Sequence, residues 1–186
     1  MIGFALCGSF CTVAGALSVL ETLCQSYEVQ GIVSEAVRDT DTRFGAARDT
    51  LARIEILTGR PPITSIKEAE PLGPKRPLDA LIIAPCTGNT LAKMANGITD
   101  STVTMAAKAH LRADRPLLLA LASNDALSAN LSNIGKFLCR KSVYFVPMRQ
   151  DDPKGKPHSL VADFSLIEPC LSAAISGEQR MPLFLS

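Results

Sequence analysis

The chain has 186 residues, of which 47% are hydrophobic and 20% charged. That length suits one domain and is short for two, and the composition excludes a disordered, collagen-like or low-complexity chain. Lys plus Arg number 19 against 18 Asp plus Glu, a net charge of +1, so nothing selects a polyanionic partner and no nucleic-acid module pattern is present.

The sequence contains no Trp, 7 Phe and 2 Tyr, so the core must be aliphatic. Ile2-Gly3-Phe4-Ala5-Leu6-Cys7 is an unbroken apolar run ending at Gly8-Ser9, which predicts a strand buried on both faces, as in a parallel sheet. Met1 through Leu20 carry no charge, which raises a secretory signal or a membrane span. The stretch has no basic start, and Gly8, Ser9, Thr12, Gly15 and Ser18 interrupt it. We therefore read it as strand, turn and helix start, and expect a cytoplasmic protein.

Ala16, Leu17, Leu20, Leu23, Cys24 and Tyr27 recur at helical spacing, predicting a helix over 12–26. A second strand follows at 29–33, closing a β-α-β unit with a right-handed crossover. A helix over 43–57 is stopped by Gly59 and by Pro61-Pro62. Ser65-Ile66-Lys67-Glu68-Ala69 carries the residues to cap its own turn. A third buried strand is expected at 78–84, then helices to about 97 and over 101–112. Pro116-Leu117-Leu118-Leu119-Ala120-Leu121-Ala122 is the next strand, with Asp125 expected to cap a helix reaching about 139. The remaining expectations are a strand at 143–146, a polar loop at 150–159, a helix over 161–174 and a tail at 177–186. The alternation defines a single α/β domain over 1–186: a three-layer, doubly wound, Rossmann-like fold with a mostly parallel sheet.

The six cysteines form no CxxC and no zinc-spaced cluster, and most sit inside apolar runs, so they read as structural, reduced thiols. Cys86 is the exception, because it stands in the Pro85-Cys86-Thr87-Gly88 turn, yet it has no adjacent base that would make it a nucleophile.

In such a sheet, ligands bind beyond the carboxyl ends of the strands. Those ends carry small polar turns: Gly8, Ser9 and Phe10; Ser34; Thr87, Gly88, Asn89 and Thr90; and Ser123-Asn124-Asp125. Free N–H groups at helix starts attract phosphate. Gly8-Ser9-Phe10-Cys11 is not GxGxxG and lacks a Walker lysine, so a mononucleotide such as FMN fits better than a dinucleotide. The plain alternative is that these are ordinary α/β connections.

Gly8-Ser9, Pro85-Cys86-Thr87-Gly88-Asn89-Thr90 and Asn124 together resemble the FMN-binding flavoprotein superfamily, which includes homo-oligomeric flavin-containing cysteine decarboxylases and flavin prenyltransferases. Residues 85–90 look like its proline–alanine–serine–alanine–asparagine–threonine motif. Asn124 looks like its asparagine that contacts a substrate carboxylate. Five further blocks, Thr42-Arg43-Phe44-Gly45, Glu70-Pro71-Leu72-Gly73-Pro74, Thr87-Gly88-Asn89, Asn124-Asp125-Ala126-Leu127 and Gln150-Asp151-Asp152-Pro153, resemble the B-subunit family of the dipicolinate synthases. That resemblance implies a partner, the A subunit, carrying the NAD(P) domain. The pair would oxidise dihydrodipicolinate, or its hydrated precursor, to pyridine-2,6-dicarboxylate in the mother cell during sporulation. The wider superfamily resemblance implies self-association as a trimer or dodecamer, and FMN as a cofactor of this chain.

The decarboxylase histidine has no counterpart, since the only histidines are His110 and His158, and a methionine-rich second motif is absent. A stand-alone FMN-dependent decarboxylase or prenyltransferase and a non-catalytic scaffold for the A subunit remain the alternatives. Under the synthase reading, Arg43 and Asn124 are the candidate substrate-carboxylate donors and Asp125 the candidate acceptor of a ring proton. The loop carrying Lys154, Lys156, His158 and Ser159 either folds over the site or faces the A subunit.

Overall fold

The computed structural model describes residues 1–73, 75 and 78–186. Pro74, the last residue of the block Glu70-Pro71-Leu72-Gly73-Pro74, lies outside them.

The sheet is built around β1 (Ile2–Leu6), β2 (Val29–Val33), β3 (Ala80–Cys86) and β4 (Leu117–Ser123), all parallel. Every residue of β1, β3 and β4 is buried, which is why their sequences are continuous apolar runs. β5 (Val143–Phe145) pairs parallel with the first half of β4. β6 (Met148–Arg149) and β7 (Leu160–Ala162) form an antiparallel hairpin whose second strand joins the last residues of β4, with Ala122 opposite Val161 and Ser123 opposite Leu160. The seven strands run β2-β1-β3-β4-β7-β6, with β5 on β4.

The helices are α1 (Phe10–Leu23), α2 (Glu35–Asp39), α3 (Ala47–Thr58), α4 (Ile66–Ala69), α5 (Gly88–Ala95), α6 (Thr102–Leu111), α7 (Leu131–Leu138) and α8 (Ile167–Ile175). α1 packs with α3 and α8, while α4 and α5 pack on α6 and α7 packs on α5. The sheet lies between these groups, giving the three-layer Rossmann-like architecture expected. Fully buried Phe4, Phe137 and Phe145 sit among Leu, Ile and Val in the core. Chain order reverses between β1's two neighbours, β2 and β3, which makes the ends of β1 and β3 the switch point where open α/β sheets bind ligands.

Several boundaries differ from expectation. The helix expected from residue 43 starts at Ala47, because Thr42 and Gly45 bridge each other in a tight turn. A five-residue helix, α2, occupies part of the segment after β2 that reads as a plain turn. Asp125 does not cap a helix: residues 125–130 are successive turns, and α7 begins only after Asn130. The helix expected over 161–174 gives up its first residues to β7 and a 3₁₀ turn, Phe164–Leu166. The tail docks on its own chain, where Met148 N donates to the Leu183 carbonyl and Leu185 N to the Met148 carbonyl, both at 2.9 Å. Among the described residues, no helix is long and apolar enough to cross a membrane.

Candidate functional site

A cleft of about 1050 Å³ opens at the switch point. That is at the upper end of the roughly 300–1,000 Å³ usual for small-molecule sites. Gly8 and Ser9 after β1, Ser34 after β2, Thr87 to Thr90 after β3, and Ser123 to Asp125 after β4 all face it. The parallel register aligns these strand ends on one rim, so turns far apart in sequence meet.

The rim is rich in hydrogen-bond donors. The N-cap of α1, Ser9, makes no side-chain cap, so the first amides of this 14-residue helix have no side-chain acceptor. At α5 the Thr87 hydroxyl accepts from Thr90 N at 3.2 Å, leaving the preceding amides, Gly88 and Asn89, for a ligand. The exposed side chains of Asn89 and Asn124 line the cleft and have no partner among the described residues. Ser34 Oγ accepts from Val37 N at 3.5 Å and so caps α2.

The acids facing the cleft each hold a structural partner through at least one oxygen. Glu35 accepts from Thr102 N at 2.9 Å and from Thr102 Oγ1 at 2.8 Å, capping α6. Asp125 Oδ1 accepts from Ser123 Oγ and, at 3.0 Å, from Asn130 Nδ2, while no hydrogen bond reaches Oδ2 from the described residues. Asp151 accepts from Lys156 Nζ at 2.8 Å, and this ammonium partner holds its carboxyl below the usual carboxylate range.

Gly88 explains the tight fit at the β3 turn. A Cβ there would lie 2.6 Å from Asp125 Oδ1 and 2.7 Å from Asn130 Nδ2. Cys86 is fully buried, and burial pushes its thiol well above the ordinary value. Cys7, which accepts a hydrogen bond from Thr90 Oγ1 at 3.3 Å, is pushed up to about 11 by burial. Both are neutral packing groups at physiological pH. No cluster of His, Cys, Asp and Glu among the described residues could hold a metal.

The structure brings Gly8, Ser9, Ser34, Thr87, Gly88, Asn89, Thr90, Asn124 and Asp125 to one cleft. Phe10 faces a separate small cavity of about 160 Å³ beside the 40–47 turn. Arg43 is absent from the cleft wall; the Thr42–Gly45 turn sets its guanidinium over the Phe44 ring, 4.8 Å from the centroid. Its acidic neighbours have other partners: Asp39 pairs with Arg38, Asp49 with Arg48, and Asp41 caps Ala47 N. Glu35, Lys93 and Asp151 are cleft residues that sequence reasoning missed. Lys93 had a readable signal, four residues after Asn89 and hence on the same face of α5.

The switch-point cleft of this doubly wound sheet gathers two helix N-termini and the free side-chain amides of Asn89 and Asn124 on one rim. The model of the flavoprotein family matches residues 1–159, and the chain belongs to that family. Within it, the chain is 44% identical to the B subunit of dipicolinate synthase from Bacillus subtilis (strain 168) over 99% of its own length and 92% of that protein. The crystal structure of the B subunit of dipicolinate synthase from Bacillus halodurans C superposes with a TM-score of 0.91 at 41% identity, covering 100% of this chain and 95% of that one. An FMN-dependent cysteine decarboxylase, SpaF, shares the fold at a TM-score of 0.69 and 23% identity, covering 95% of each chain.

Proposed function

We propose that this chain is the second subunit of a dipicolinate synthase. With the A subunit, which carries NAD(P), it oxidises dihydrodipicolinate or its hydrated precursor to pyridine-2,6-dicarboxylate in the mother-cell cytoplasm of a sporulating bacterium. The observation that carries this reading is the end-to-end likeness to such subunits, 44% over 99% of the chain.

The cleft chemistry fits. The product ring bears two carboxylates, and the wall offers the unpaired amides of Asn89 and Asn124, the ammonium groups of Lys93 and Lys156, and the amides at two helix starts. Aromatisation removes a hydride and a proton. Asp125 is the proton acceptor of this proposal, since Oδ2 is unengaged while Oδ1 is anchored by Ser123 and Asn130. Asn124 orients one carboxylate from the adjacent turn. Positioning is the main task, because forming the pyridine ring is itself strongly downhill.

The donor set also fits FMN. The α1 amides, Ser9 and Ser34 would hold its phosphate, and Thr87, Gly88, Asn89 and Thr90 would hold the remainder against the rim. Bound FMN would supply a second hydride acceptor beside the nicotinamide of the A subunit. Self-association belongs to the same proposal, since a dodecameric FMN-dependent decarboxylase from Escherichia coli O157:H7 has this fold at 24% identity.

The test is reconstitution. This chain is mixed with the A subunit, NADP and dihydrodipicolinate, and the ultraviolet band of the pyridine product is followed. The band should grow only when both chains are present. Equal growth with only the A subunit would assign this chain a scaffold role. An FMN titration of the separate chain, read by quenching of flavin fluorescence, tests the cofactor; a chain that does not quench leaves a substrate-only cleft.

A further inference from the structure

The walls of the cleft differ in how their charges are spent. Among the described residues, its cations are Lys93 and Lys156. Lys93 Nζ is held by both oxygens of Asp100, at 2.9 and 3.0 Å. Lys156 contacts a single oxygen of Asp151 at 2.8 Å, and its side chain is 56% exposed. An ammonium carries three donors, so Lys156 has donors to spare without leaving Asp151.

The segment bearing Lys156 is a braced strap between β6 and β7. Lys156 N donates to the Asp152 carbonyl at 2.7 Å and Ser159 N to the Lys156 carbonyl at 3.0 Å. Gly155 N reaches Asp152 Oδ1 at 2.8 Å, and Gln150 Nε2 reaches the Pro157 carbonyl at 2.9 Å. Leu127 N donates to the His158 carbonyl at 2.9 Å, tying the strap to the turns that follow Asn124. The pairing of Ser123 with Leu160 fixes the same closeness from the sheet. Cys11, in the first turn of α1, lines the same cleft as Lys156. The strap thus sets the ammonium on the β4 side of the opening, beside the turns that follow Asn124.

We propose that Lys156 is the carboxylate-binding cation of this cleft, meeting one carboxylate of an aromatic dicarboxylic acid beside the amide of Asn124. The proposal rests on the dicarboxylate reading above and deepens it. Asp151 holds the lysine in place while the cleft is free, so little side-chain ordering remains for the ligand to impose. The strap is thereby a selectivity element, because it recognises the second carboxylate that separates a diacid from a monoacid.

Equilibrium binding to the full chain, without the A subunit, tests this. The probes are pyridine-2,6-dicarboxylate and pyridine-2-carboxylate. Wild type should prefer the diacid. Lys156→Gln should weaken diacid binding about tenfold to a hundredfold, the usual range for losing a charged hydrogen bond, and leave the monoacid unchanged. Lys156→Arg should keep most of the preference, and Lys154→Gln, off the cleft wall, should behave as wild type. Diacid binding by Lys156→Gln as tight as wild type, or equal weakening of both acids, would overturn the assignment. A wild-type chain that binds neither acid overturns both this inference and the dicarboxylate reading. A selective chain that yields no product with the A subunit sinks only the synthase reading.

Discussion

Gly88 shows how little space the ligand rim has to spare. Its missing side chain is what lets Ser123, Asp125 and Asn130 close over the start of α5. Gly88→Ala forces that hydrogen-bonded trio to move, and overpacking of this kind costs about 1–3 kcal/mol. At Gly135, inside α7, a Cβ would meet nothing within 4 Å. The same change there should instead stabilise by up to about 1 kcal/mol through helix propensity. Urea midpoints of the two variants check this, and equal shifts would show that the Gly88 neighbours yield freely. The importance of position 88 was legible, because a small residue beginning a helix after a buried strand marks a close approach. That its neighbours would be Asp125 and Asn130 was not, since their meeting depends on the β3–β4 register. Arg43 illustrates the opposite case. Its place after β2 suited a rim donor, but a two-residue turn decides where its side chain goes, and stacking on Phe44 is invisible to spacing.

Among the elements, α2 is brief but consequential. Glu35 at its start caps α6, whose Thr102 is fully buried and depends on that carboxylate for both N–H and hydroxyl. The negative charge also complements the N-terminal end of the α6 dipole. Glu35→Ala strands two buried donors and should cost about 1–3 kcal/mol, while Glu35→Gln, which keeps an acceptor oxygen, should cost less. Chemical denaturation of the two variants measures the difference; equal losses would mean that the charge, not the acceptor, matters. The long elements were readable because burial on both faces writes strands as unbroken apolar runs. The capping box of Ser65 and Glu68 was readable from residue identity alone. α2, β6 and β7 were not. Each has five residues or fewer, too short for periodicity, and long-range pairing fixes the strands. Asp125 misled because a carboxylate before an apolar segment reads as a cap, whereas here it binds Ser123 and Asn130.

Across the whole molecule, one buried imidazole links stability to pH. His110 is fully buried, its Nε2 lies 2.8 Å from the Pro116 carbonyl, and its Nδ1 has no partner among the described residues. Burial holds its pKa below the ordinary value. The unfolded chain therefore takes up a proton at about pH 6.5 that the native state still refuses. Stability should fall as pH drops below that point, until the depressed native value is passed. His110→Leu should flatten this slope in denaturation curves taken on either side of it; an unchanged slope would assign the acid sensitivity to other groups. The tail closes the outermost strand of the sheet: Leu183 and Leu185 hydrogen-bond Met148 of β6 and bury Leu183. An exposed strand margin invites pairing with a second chain. Residues 183–185 thus occupy that margin through the backbone of Met148. Removing residues 183–185 would leave the backbone N–H and carbonyl of Met148 seeking strangers.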